Sequence, residues 1–168
     1  MKTLFSLLVC FPFLLISCSK ESKSKNVPIQ FLLTNEPIDY DSVNVHINGL
    51  KINMQEDSTS WIDINAKDTI VNLLDLQNGV SMILAQTEVP DGFLKEVRLI
   101  LGAENYVVVD GVRYELETPS AQQSGLKIKI NKNLNENLNT FILDFDAEQS
   151  IKEVNGSYKL HPVIHLKN

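Results

Sequence analysis

The chain has 168 residues, 43% of them apolar, with a formal net charge of −6 and a pI near 5.0. That length fits one domain plus a terminal segment, and the apolar content builds a core without metal or disulfide staples. The acidic balance excludes a nucleic-acid partner, which asks for a basic stripe, and argues against electrostatic docking on anionic lipid.

Lys2 precedes an apolar run over residues 4–16, interrupted only by Ser6 and Pro12. This is the pattern of a secretory signal. The run is shorter than the ~20 residues that span a bilayer as a helix, and Pro12 would kink such a helix. Leu15-Ile16-Ser17-Cys18 resembles the lipobox of bacterial lipoproteins. The resemblance implies diacylglycerol on the Cys18 thiol, cleavage before Cys18 and acylation of the new amino group. The alternative is an ordinary signal peptide with Cys18 a bystander. Residues 1–17 are thus expected to be a signal peptide, 18–26 a lipidated cysteine and flexible tether, and 27–168 a single domain. Cys10 would leave with the signal and Cys18 would be acylated, so no intramolecular disulfide is expected. A second acyl chain makes membrane anchoring stable where one is marginal. The tether after Cys18 has no apolar residue before Val27, and eight such residues reach roughly 15 Å. The expected address is the bacterial cell envelope. Ser19 after the cysteine resembles outer-membrane sorting in enteric bacteria, and Lys20-Glu21 resembles the surface-export signal of Bacteroidetes lipoproteins. Periplasmic and surface faces both stay open.

From Ile29 onward the apolar period is two, the signature of strands. Val43, Val45 and Ile47 share one face; after Asn48-Gly49 the parity moves to Leu50, Ile52 and Met54. A β-bulge there would return the apolar side chains to the core. Further strands are expected at 61–64 and 70–76. Residues 80–89 are ambiguous: Val80, Ile83, Leu84 and Thr87 fit a short helix, Met82 and Leu84 a strand. Pro90-Asp91-Gly92 is a turn. Phe93, Val97, Leu99 and Leu101 follow in alternation. Asp110-Gly111 between two apolar runs gives the strongest hairpin signal, because a type I′ turn needs positive φ twice. Strands are expected again at 126–130, after an asparagine-rich loop at 141–145, and at 158–166. Pro162 puts the last at a sheet edge or breaks it. About ten short strands, with at most one or two short helices, predict an all-β antiparallel sandwich.

Few patterns carry chemistry. His161 and His165 lie about 13 Å apart on a strand, too far for one metal, and His46 is solitary. Asp144 and Asp146 flank Phe145 and would share one strand face about 7 Å apart, which fits a hydrated Ca²⁺, an acid–base pair or a plain solvated face. Asp39 and Asp41 fit Ca²⁺ ligation or turn chemistry. Nucleophile-elbow, phosphate-loop and dinucleotide patterns are missing from the sequence, so neither an enzyme nor a cofactor is expected. The stretch 118–130 reads TPSAQQSGLKIKI. Its Gln122, Gln123, Ser124 and Lys127 form a candidate ligand surface, because amides bond in both directions and suit sugars or peptides. The alternative is a loop whose amides satisfy its own backbone. Three Asp-Ser/Thr-apolar triplets begin at Asp41, Asp57 and Asp68. They resemble the O-glycosylation triplet of exported Bacteroidetes proteins, with Ser42, Ser58 and Thr69 as acceptors. The alternative is strand-entry turn chemistry.

Several motifs together resemble a family of exported bacterial proteins, the domain of unknown function 4382. They are Thr34-Asn35-Glu36-Pro37 with Asp39-Tyr40-Asp41, Trp61, Asn78-Gly79, Pro90-Asp91-Gly92 and Arg98-Leu99. Pro119-Ser120-Ala121-Gln122-Gln123-Ser124-Gly125-Leu126-Lys127 is the most specific. Leu143-Asp144-Phe145-Asp146-Ala147 and Lys159-Leu160-His161-Pro162-Val163-Ile164 complete the set. The chain departs from the usual pattern at Asn35-Glu36 and Phe93. The resemblance implies an immunoglobulin- or transthyretin-like sandwich and no known reaction. The expected role is a lipid-anchored binding or structural module with a glycan or an envelope protein as partner. The alternatives are a carbohydrate-binding or adhesion module and a hydrolase using Asp144 and Asp146.

Overall fold

In a computed structural model, residues 25–54, 61–118 and 124–167 are described. The candidate acyl site Cys18, the glutamines Gln122 and Gln123, and Ser58 lie outside those residues. The described chain forms thirteen strands. The first seven are β1 (Asn26–Asn35), β2 (Ser42–Asn53), β3 (Trp61–Asp63), β4 (Thr69–Asn72), β5 (Met82–Pro90), β6 (Phe93–Leu101) and β7 (Tyr106–Val109). The remaining six are β8 (Val112–Glu117), β9 (Leu126–Asn133), β10 (Asn139–Phe145), β11 (Ile151–Val154), β12 (Ser157–Leu160) and β13 (Ile164–Lys167). A 3-10 turn, Leu73–Leu76, and a one-turn helix α1, Ala147–Ser150, accompany them.

Two sheets result. The smaller has the order β13-β10-β1-β5; the larger runs β11-β12-β8-β7-β2-β6-β9, with β3 and β4 also paired to β2. Alternation builds the core between them. Val27, Ile29, Phe31 and Leu33 of β1 are buried, as are Val43, Val45, Ile47, Leu50 and Ile52 of β2 and Val97 and Leu99 of β6. Phe31 stacks on Phe141 of β10 at 5.4 Å between ring centres. The ladders are antiparallel with two exceptions, β1–β10 and β12–β8. Each joins strands far apart in sequence, as a parallel pair requires.

The register slips between Ile47 and Gly49 where β2 meets β6, so the Asn48-Gly49 parity change is a bulge. Residues 82–90 settle as a strand on β1; Val80 and Ile83, half of the would-be helical stripe, are exposed. Asp110 and Gly111 take φ of 49° and 74°, the positive pair a type I′ turn needs. The last expected strand breaks at Pro162. Its halves, β12 and β13, enter different sheets. The crossing is held by α1, whose Ser150 carbonyl accepts the His161 N–H and whose Ser150 Oγ accepts the Val163 N–H at 2.8 Å each. β1 begins at Asn26, the last residue of the expected tether.

β6 and β7 run along successive stretches of β2, joined by a kink at residues 102–105. Within it, Asn105 replaces a missing ladder rung. Its Oδ1 accepts the His46 N–H at 2.9 Å, and its Nδ2 donates to the Gly102 carbonyl and to Thr118 Oγ1. Asn105 is fully buried, so these bonds avoid stranded polar groups in the interior.

Candidate functional site

The outer face of the larger sheet gathers the chemistry. Across it, Asp63, Lys51, Arg98 and Lys127 stand in one register row, through the β3–β2, β2–β6 and β6–β9 ladders. Side chains two residues apart on a strand share a face. The next row on that face is therefore Trp61, Asn53, Glu96 and Lys129. Trp61 is half-buried. The Arg98 guanidinium lies 4.1 Å from its ring centre and Lys127 Nζ lies 5.7 Å away, both inside cation–π range. Arg98 Nε is buried and has no hydrogen-bond partner among the described residues. Four cations thus share this face with two carboxylates, on a protein of net charge −6.

The described residues break off after Thr118 and resume at Ser124 and Gly125, against Arg98 of that face. Gly125 has φ +102°, and a Cβ there would lie 2.4 Å from Arg98 Cγ. Only glycine lets the chain land on the arginine. Of the expected ligand surface, Lys127 joins Trp61 and Arg98, and Ser124 is exposed. Arg98 is a site residue that no chemistry-bearing sequence motif singles out. Its outward position was legible in the β6 alternation, but its neighbours were not, because strand register is not written in local sequence.

The carboxylate pair Asp144 and Asp146 does not form. β10 ends at Phe145, and Asp146 caps α1, its Oδ1 accepting the Gln149 N–H at 2.8 Å. Asp144 is not on a solvated face either; it is 8% exposed. It meets Lys167 Nζ at 3.5 Å, and the same ammonium lies 2.9 Å from Glu36. Burial pushes the Asp144 carboxyl above its ordinary range; Lys167 opposes this and Glu36 adds to it. Hydrogen bonding to Lys167 holds Glu36 below its ordinary range and raises Lys167. This is a surface clasp tying β13 to the end of β1.

Other candidates have structural occupations. Asp41 Oδ2 accepts the Gly111 N–H at 2.7 Å and so fixes the β7–β8 hairpin. His46 Nε2 meets Asp68 Oδ1 at 2.6 Å while its ring packs on Gly102. His161 and His165 are exposed. Among the described residues, no three His, Cys, Asp or Glu side chains cluster to hold a metal. Ser42 and Thr69 are both half-buried at strand starts, and Ser42 Oγ accepts a bond from Asn44. A groove of about 460 Å³ opens between β9 and β13, lined by Lys132, Asn135, Leu138, Asn139, Phe141 and Lys167. Asn139 there is largely spent on the backbone, donating to Pro28, Asn135 and Asn137 carbonyls.

The fold is thus that of an all-β sandwich with a cation–aromatic outer face. The sequence profile of the domain of unknown function DUF4382 matches residues 26–162, and the chain belongs to that family. No curated protein matches it in sequence. One crystal structure, of a "putative cell adhesion protein" from Bacteroides fragilis at 2.57 Å resolution, aligns with a TM-score of 0.40 and 12% identity. The alignment covers 85% of this chain and 45% of that one, so the chain spans less than half of that protein's length.

Proposed function

We propose that this protein is a lipid-anchored binding module of the bacterial cell envelope, not an enzyme, and that it takes a saccharide bearing acidic groups on the face around Trp61. The observation that carries this reading is the arrangement of Arg98 and Lys127 at the Trp61 indole. Aromatic rings contact the apolar faces of sugars, and an arginine fork matches a carboxylate or sulfate in two bonds. Lys129 extends the positive strip, Lys51 beside it pairs with Asp63 at 3.9 Å, and Gln122 and Gln123, shortly before Lys127 in the sequence, would add two-way hydrogen bonding to sugar hydroxyls. The lipobox at Cys18 and the polar tether support the address.

Trp61 is the single tryptophan of the chain, so its fluorescence reports on this face alone. Acidic and neutral oligosaccharides titrated into the detergent-extracted protein test the reading. Spectral change with acidic sugars only supports it; change with none, or equally with neutral ones, opposes it. Glycosylation at Ser42, Ser58 and Thr69 belongs to the same proposed surface life of the protein. An intact mass equal to the lipidated polypeptide would remove it.

A further inference from the structure

One end of the sandwich collects the chain entry and two connections. Lys25 accepts the Asp91 N–H on its carbonyl at 2.8 Å and pairs through Nζ with Glu136 at 2.5 Å. Leu134 N–H donates to the Gly92 carbonyl and Asn139 Nδ2 to the Pro28 carbonyl. The β5–β6 turn, the β9–β10 connection and the start of β1 are thereby fastened together. This end exposes Phe93 and Leu138, 41% and 47% accessible. The opposite end of the larger sheet carries the Asp110-Gly111 hairpin, beyond β7, where β2 starts rather than finishes.

Seven residue steps separate Cys18 from Lys25, so even a fully extended chain spans at most about 25 Å between them. With acyl chains on Cys18, the Lys25 end cannot leave the neighbourhood of the bilayer. Among the described residues at this end, Lys25 and Lys132 stand against Asp91 and Glu136. Such an end has no electrostatic reason to adhere to lipid, in keeping with the acidic chain as a whole, but its two large apolar side chains do. Aromatic and aliphatic groups held at a membrane interface leave water for the headgroup region.

We infer that the Lys25 end of the sandwich seats on the lipid surface through Phe93 and Leu138, holding the Asp110-Gly111 hairpin away from the membrane. This rests on the proposed acylation of Cys18. After processing, an introduced cysteine would be the only free thiol, since Cys10 lies in the signal segment and Cys18 is acylated. The test uses the full chain, exported and processed by its host, then reconstituted in phosphatidylcholine vesicles carrying headgroup-region nitroxide lipids. Phe93→Cys, Leu138→Cys and Asp110→Cys variants each carry one environment-sensitive fluorophore.

Quenching at positions 93 and 138 should exceed that at 110 by at least about twofold and should persist in about 0.5 M salt, where charge attraction is screened. Vesicle flotation with equal quenching at all three positions would overturn the seat while leaving the anchor intact. Failure to float with the vesicles would overturn both.

Discussion

The guanidinium of Arg98 lies over the Trp61 ring, 4.1 Å from its centre, although the two residues sit on strands separated by β2. The contact bridges the strand between them and joins an arginine whose Nε is buried to an indole that still meets solvent. A cation on a partly exposed ring contributes about 0.5–1 kcal/mol. Arg98→Ala should therefore cost stability of that order and change the Trp61 emission, whereas Arg98→Lys should restore charge without the planar stack. Urea unfolding followed by Trp61 fluorescence checks both.

Asn105 is the second place where one side chain does the work of a strand. Truncation to alanine leaves the His46 N–H without its acceptor and removes two donor bonds. The expected cost is about 2–3 kcal/mol, the penalty for buried polar groups left unpaired. A loss under about 0.5 kcal/mol in denaturant unfolding would mean that water replaces the amide.

Gly102 packs against the His46 ring so closely that a Cβ would lie 2.1 Å from Nδ1. Gly102→Ala should destabilise by about 1–3 kcal/mol, the usual cost of overpacking. His46→Ala in the same chain should recover much of that loss. A double-mutant cycle that comes out additive would show that the ring is not what excludes the methyl group.

The pH dependence follows from the clasp of Glu36, Asp144 and Lys167. Asp144 has its folded pKa raised, chiefly by burial, so its contribution to stability is present at low pH and is lost as pH rises through that value. Glu36 has its folded pKa lowered by Lys167, so its contribution runs the other way and is lost as pH falls. Asp144→Asn removes the first effect, together with the smaller contribution that Asp144 makes to Glu36 and its ion pair with Lys167. The stability of this variant relative to wild type should rise as pH goes from about 3 to about 6. Urea midpoints measured across that range check the sign; a falling difference would mean that the Lys167 ion pair outweighs burial.

Much of the sandwich is legible in the sequence because its strands are half-buried and alternate. The Asn48-Gly49 bulge and the Asp110-Gly111 turn are local signals, set by parity and by positive φ. Strand β11 has only Ile151 pointing inward, so alternation cannot reveal it. Its Asn155-Gly156 turn, with φ of 52° and 75°, was the readable clue. The carboxylate pair failed as a reading because the strand ends between Asp144 and Asp146, and an Asp three residues ahead of Gln149 is as much a cap as a strand residue. The Trp61–Arg98–Lys127 cluster needs four strands, β3, β2, β6 and β9, in register, and that lies in the tertiary structure rather than in any one segment.

The most direct test of the ligand face is a titration of an acidic polysaccharide, such as a polyuronate, against Trp61 fluorescence in wild type, Arg98→Ala and Lys127→Ala. Wild type should give a saturable change that weakens with salt. Arg98→Ala should bind roughly tenfold or more weakly, the loss of a charge-assisted bond, and neutral dextran should give no response. Equal affinity in all three proteins, or saturable binding of neutral dextran alone, would contradict an acidic-saccharide site at Trp61.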